Sequence, residues 1–133
     1  MNEISIGIIG AGMMGQEHIQ NFNLLEGAQV TALADTDAAM LAKAAEMTNG
    51  TPMQSDDFET LLGDNGPDVL VISTPNFHHI DVLETALEAG KPILCEKPLC
   101  TTLEDTQKVM RRVGHLDLIF QVGMEYRLSL IHI

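Results

Sequence analysis

The chain has 133 residues, 45% apolar and 20% charged, which fits one globular domain with enough material for a core. Nineteen acidic residues against seven basic ones give a net charge of −12, which argues against nucleic-acid partners and against adsorption to anionic membranes. No apolar run reaches the ~18 residues of a spanning helix, and the opening MNEISIGIIG is not expected to act as a secretory signal. With two cysteines and no export signal, a reducing cytoplasm is the expected compartment.

Short runs rich in β-branched residues alternate with longer helix-patterned stretches. The first strand is predicted over 4–9, and Met14, His18, Ile19, Phe22 and Leu25 then fall on one face of a first helix. A second strand follows at 30–34, with Leu41, Ala45 and Thr48 marking a second, Ala-rich helix and a weak strand at 51–53. A short helix around 58–62 stops near Gly63, and the loop 64–67 leads into a strand at 69–73. Ile80, Leu83 and Leu87 mark a helix ending at Gly90, a C-cap glycine followed by Pro92. After a strand at 93–95, Leu103, Met110 and Val113 mark another helix, with Thr101 or Thr102 as N-cap and Glu104 and Asp105 in its first turn. The last strand is predicted at 118–122. Apolar residues in succession suit strands buried on both faces, so the fold class is α/β with a doubly wound parallel sheet.

Gly10, Gly12 and Gly15 spell G-x-G-x-x-G. By itself the spacing is weak, arising by chance in roughly 7 of 100 such chains. Its context is specific: the motif follows a strand directly and opens an amphipathic helix, as a dinucleotide-binding turn requires. Gly10 makes the tight turn, Gly12 lets backbone approach a pyrophosphate, and Gly15 lets helix and strand pack closely. The amides at the helix start, including those of Met13 and Met14, would receive the phosphates. Asp35 lies twenty positions after Gly15, at the end of the second strand, with Thr36 beside it. A carboxylate there accepts hydrogen bonds from ribose hydroxyls and repels a 2′-phosphate, and no Arg follows to neutralise one, so NAD is favoured over NADP. The alternative for Asp35 is a capping role at the helix that starts near Asp37.

Two further clusters sit at strand ends, on the edge where open α/β sheets bind ligands: Ser73-Thr74-Pro75-Asn76 with His79, and Cys95-Glu96-Lys97-Pro98. Together, TPNFHH, AGKPILCEKPL and VGMEYR resemble the glucose–fructose oxidoreductase, inositol dehydrogenase and rhizopine-catabolism (Gfo/Idh/MocA) family, from about Ile4 to Arg127. The resemblance implies a Rossmann domain at 1–127, with the family's second α/β domain missing. It also implies NAD(P)-dependent oxidation or reduction of a hydroxyl or carbonyl carbon on sugars, cyclitols and related polyhydroxylated small molecules. The full-length protein is expected to be a homo-oligomer. By the same resemblance Ser73, Thr74, Pro75 and Asn76 would line the cofactor, with Asn76 and His79 on the ribose and nicotinamide side. Glu96 would contact the nicotinamide ribose, and Lys97 would be the catalytic residue beside the nicotinamide and the reacting carbon. Pro98 would keep Lys97 out of helical geometry, often through a cis peptide in the family, and Arg127 would face the active-site cleft.

The remaining features read as structural. His78 is a solvated residue at a helix start, and no His, Cys, Asp and Glu cluster has metal-ligand spacing. Cys95 and Cys100 lack C-x-x-C spacing and read as reduced thiols, and the eight methionines read as core filler. Residues 128–133, LSLIHI, match the translation of a tagmentation transposase end and are expected to be a non-native tail. A chain of this kind is expected to bind NAD but to lack dehydrogenase activity by itself. The alternatives are another Rossmann dehydrogenase, against which Glu-Lys-Pro argues, and a dinucleotide-sensing module without catalysis.

Overall fold

The computed structural model describes residues 3–129. Residues 130–133 of the expected tail lie outside the described residues. Six strands form one parallel sheet in the order β3-β2-β1-β4-β5-β6. They are β1 (Ile4–Ile9), β2 (Ala28–Ala34), β3 (Met53–Ser55), β4 (Val69–Ile72), β5 (Ile93–Glu96) and β6 (Phe120–Gly123). Among the described residues four α-helices lie between them, α1 (Met13–Phe22), α2 (Ala38–Glu46), α3 (His79–Ala86) and α4 (Leu103–Val113), and a 3-10 turn at Phe58–Leu61 leads from β3 to β4. The sheet is built outward from β1 in both directions, so the strand order reverses between β1 and β4. That reversal opens a crevice at the carboxyl ends of those two strands.

Each face of the sheet buries its own apolar cluster. Ile6, Ile8, Val30, Leu33 and Val71 meet Ile19 of α1 and Leu41 and Ala44 of α2 on one side. Ile9, Leu70, Ile72 and Ile93 meet Leu83 and Ala86 of α3 and Val109 of α4 on the other. This arrangement is the doubly wound sheet predicted from the strand–helix alternation, and strands buried on both faces account for the near-continuous apolar runs.

The strand boundaries shift where pairing overrides composition. β2 starts at Ala28 because Ala28 and Gln29 pair with Ile4 and Ser5. β3 sits at 53–55 rather than 51–53, opposite Ala32–Ala34, and β6 begins at Phe120, opposite Ile93. Two helix faces also differ from expectation. α1 ends at Phe22 and buries Gly15, Gln16 and Ile19, while Met14 stays 36% and Leu25 56% exposed. In α4, Leu103 and Met110 are exposed and Val109 faces the core. The cause is α3: Lys108 pairs with the Glu84 side chain and Arg112 Nη1 donates to the Glu84 carbonyl at 2.8 Å. These contacts turn Val109 inward and leave Met110, about 100° further round the helix, in solvent.

The caps follow the sequence closely. Gly90 ends the third helical segment at φ +66°, and Thr102 caps α4 by accepting from the Asp105 amide. At the opposite edge from the crevice, Asp68 ties the loop before β4 to β1. Its carboxylate accepts from the Ser5 hydroxyl at 2.6 Å and the Ser5 amide at 2.8 Å, and these bonds hold it below the usual Asp range.

Candidate functional site

The glycine turn between β1 and α1 assigns a different geometric task to each glycine. Gly10 has φ +100°, and a Cβ there would lie 2.6 Å from the Ser73 and Thr74 backbone. A Cβ on Gly15 would lie 2.0 Å from the Gly10 carbonyl oxygen, so the helix can approach the turn only without one. A Cβ on Gly12 would meet nothing within 4 Å: the space in front of it is open. Gly12 is also the N-cap of α1 and offers no side-chain bond to the helix amides. The first helical bond runs from the Gln16 amide to the Gly12 carbonyl, which leaves the amides of Met13 and Met14 ahead of it.

The turn is braced from three sides. The Ala11 amide donates to Asp35 Oδ2 at 2.7 Å, and the Ala11 carbonyl accepts from Gln16 Nε2 at 2.9 Å. Ser73 Oγ, at the end of β4, donates to the Gly10 carbonyl at 2.8 Å. Asp35 Oδ1 accepts from the Asp37 amide, while Asp37 itself caps α2 through the Ala39 and Met40 amides. The capping role weighed for Asp35 therefore belongs to Asp37. Asp35 is instead a strut between the glycine turn and the entry to α2, with a second lone pair left on each oxygen. Gln16 gave a signal that sequence reasoning passed over, a polar residue on the buried face of α1.

A cavity of about 590 Å³ opens at this edge. Gly10, Gly12, Met13 and Met14 line it from the turn, Asp35 and Thr36 from the end of β2, and Ser73, Thr74 and Pro75 from the end of β4. Its other walls bring in residues not singled out from the sequence, the carboxylates of Asp56 and Asp81 and the ring of Phe58. His78, read as a solvated helix-start residue, also lines it and remains half-exposed. Thr74 Oγ1 is buried with no hydrogen-bond partner among the described residues. Open space at Gly12, free amides at the α1 start and carboxylates along the walls fit a dinucleotide whose ribose hydroxyls are unphosphorylated.

The second cluster lies at the end of β5, outside that cavity. Glu96 is 8% exposed, and its Oε1 accepts from His18 Nε2 of α1 at 2.8 Å. Lys97 is exposed, its ammonium makes no ion pair among the described residues, and the Lys97–Pro98 peptide is cis. Asn76 and Arg127 are likewise exposed, in short 3-10 turns after β4 and β6. His79 corrects an expectation. It is fully buried, with Nδ1 2.8 Å from the Pro98 carbonyl oxygen and Nε2 3.0 Å from the Thr74 carbonyl oxygen. Both ring nitrogens are occupied by backbone, so the imidazole lies beneath the two loops rather than against a ligand. Beside it, burial pushes the Cys95 thiol up to about 12, which keeps it protonated and unreactive.

Residues 4–124 match the family model described as oxidoreductase family, NAD-binding Rossmann fold (Gfo/Idh/MocA). The chain belongs to the Gfo/Idh/MocA family. Its relatives within the family include an inositol 2-dehydrogenase of Corynebacterium glutamicum strain R, 37% identical over 115 residues, covering 86% of this chain and 34% of that protein. Among solved structures, the myo-inositol dehydrogenase of Lactobacillus casei in complex with NAD(H) and myo-inositol superposes with a TM-score of 0.90 at 29% identity, over 96% of this chain and 38% of that one. A levoglucosan dehydrogenase in complex with NADH gives a TM-score of 0.84 at 27% identity, over 95% of this chain and 36% of that one. The chain thus spans about a third of the length of these relatives, and it is a Gfo/Idh/MocA NAD-binding Rossmann domain. No helix among the described residues is long and apolar enough to cross a membrane.

Proposed function

We propose that residues 1–127 are the NAD-binding part of a dehydrogenase acting on a hydroxyl-bearing carbon of a polyhydroxylated ring compound, a cyclitol such as an inositol or a related sugar. The observation that carries this reading is the cavity at the β1–β4 reversal, open at Gly12 and walled by Asp35, Asp56 and Asp81. The Met13 and Met14 amides hold the pyrophosphate, and Asp35 accepts from the adenosine ribose with its remaining lone pairs. Thr36 flanks the same ribose, and Ser73, Thr74 and Pro75 form the opposite wall. Three carboxylates along one cavity disfavour a 2′-phosphate, so the cofactor is NAD rather than NADP.

A nicotinamide held there would supply the hydride acceptor or donor for the substrate carbon. The protein's own contribution is Lys97, whose ammonium, without an ion pair among the described residues, donates a hydrogen bond to the substrate oxygen and stabilises developing alkoxide charge. Glu96 and Asn76 serve the nicotinamide ribose, and Arg127 faces the substrate cleft. The relatives named for inositol supply the substrate class. Two buried, unlinked thiols support a reducing cytoplasm. Exposed Leu103 and Met110 on α4 and Ile119 just before β6 support packing against further protein, as a homo-oligomer needs. The test is Lys97→Ala in a longer protein that carries this domain. Turnover should fall roughly 10²–10⁴-fold while NAD affinity changes little. Turnover kept within a few-fold would remove Lys97 from the reacting carbon.

A further inference from the structure

We infer that His18 and His79 are a pair of positioning residues that clamp the Glu96-Lys97-Pro98 turn from opposite faces of the sheet, an inference that rests on the reading of Lys97 as the donor to substrate. His18 comes from α1, on the face that carries the glycine turn. His79 comes from α3, on the other face. Each grips one neighbour of Lys97.

The first jaw acts through Glu96. A carboxylate only accepts, so His18 Nε2 carries the proton it shares with Oε1 across 2.8 Å, with the side chains 16% and 11% exposed. The other carboxylate oxygen accepts from the Lys97 amide at 3.3 Å. Gly123 of β6 makes room for the carboxylate: a Cβ there would stand 3.2 Å from Oε1 and 3.3 Å from Oε2, so only a glycine lets Glu96 lie this close to β6. Phe22 stacks on the His18 ring at 6.2 Å and holds its plane.

The second jaw acts through Pro98. The His79 ring is 0% exposed and spans the Pro98 and Thr74 carbonyls, so it donates at least one N–H into the two loops and fixes their separation. Lys97 is thereby held at its amide on one side and at its following carbonyl neighbour on the other. Its ammonium makes no ion pair among the described residues, and the side chain is exposed on a stiffened turn. A residue whose chemistry depends on placement within about 0.5 Å needs this kind of support.

The test uses the ¹⁵N-labelled chain and three substitutions. His18→Phe keeps the ring against Phe22 but removes the N–H, His18→Gln restores a donor, and His79→Gln keeps one donor of the second jaw. Losing the His18 bond should speed exchange of the Lys97 amide by roughly tenfold and move its ¹H–¹⁵N signal, while β1 amides keep their protection. His18→Gln should return both toward wild type, and NAD affinity should stay within about twofold in all three. In a longer enzyme the same variants should lower kcat with KM for NAD unchanged. An unmoved Lys97 amide in a folded His18→Phe chain overturns the inference. Independently of any substitution, the wild-type chain should show slowly exchanging imidazole N–H protons for His18 and His79, and their absence overturns it as well. A chain that binds no NAD yet shows the His18 effect would retire the cofactor reading and leave the clamp standing.

Discussion

The two halves of the sheet's carboxyl edge are built on opposite plans. Around β1, β2 and β4 the cavity is lined at the glycine turn by backbone, and Gln16, Ser73 and Asp35 hold that backbone in place, Asp35 while also lining the cavity. At the end of β5 the exposed group is a side chain, Lys97, and the turn that carries it is braced by imidazoles arriving from helices on both faces. A diphosphate is bound by amides that any sequence possesses, provided nothing obstructs them, so the first region spends its specificity on glycines. On the proposed reading, hydride chemistry needs one charged group in one place, and the second region supplies supports for it.

The contrast breaks most visibly at Gly15. An alanine there places a methyl 2.0 Å from the Gly10 carbonyl oxygen, and that obstacle is backbone, which yields little. Gly15→Ala should destabilise the domain by about 3 kcal/mol or more in denaturant unfolding, at the upper end of overpacking costs. A shift under about 1 kcal/mol would mean that the turn is looser than the strut pattern implies. A smaller effect sharpens the role of Asp35. Asp35→Ser with Thr36→Arg removes the charge that repels a 2′-phosphate and adds one that attracts it. Preference should move toward NADP, and affinity for both cofactors should drop because the Ala11 amide loses its acceptor. Titration of both dinucleotides against wild type and double variant checks this, and unchanged preference would detach Asp35 from the ribose.

The smallest effect lies away from both regions and serves as a control. The folded-state pKa of Asp68 is lowered by the Ser5 bonds, so its contribution is present above the usual carboxylate pKa of about 3.9 and is lost as pH falls through the folded value. Asp68→Asn should therefore lower the melting temperature slightly near pH 7, and the gap to wild type should close on acidification below about pH 4. Melting curves at several pH values read the difference, and NAD binding should be indifferent to it. A gap that persists unchanged in acid would remove the carboxylate from the account.

The legibility of the two regions in sequence follows from how each is built. β1, the three glycines and Asp35 could be read directly because their spacing is imposed by local geometry, a turn that needs positive φ at Gly10 and close packing at Gly15. The doubly wound sheet followed from apolar runs separated by helical patterns. The bond from His18 to Glu96 joins residues 78 positions apart, and no spacing rule connects them. Its only trace was a histidine on an otherwise apolar helix face. His79 was misplaced for a related reason: a polar residue beside a strand end suggests a ligand contact, whereas here two backbone carbonyls needed a buried donor. In α4 the pairing of Lys108 and Arg112 with α3 decided which face turned inward, a tertiary contact that outranked the apolar spacing.

The central claim is that a dinucleotide pyrophosphate lies against Gly12, and Gly12→Ala tests it directly. The residue has φ −69° and ψ −162°, a conformation alanine adopts freely, and its Cβ would project into open space. The variant should therefore fold with stability within about 0.5 kcal/mol of wild type. Calorimetric titration should show wild type binding one NAD per chain and the variant binding it at least tenfold more weakly, because the new methyl occupies the approach to the phosphates. Equal NAD affinity in the two proteins, at equal stability, would contradict the account.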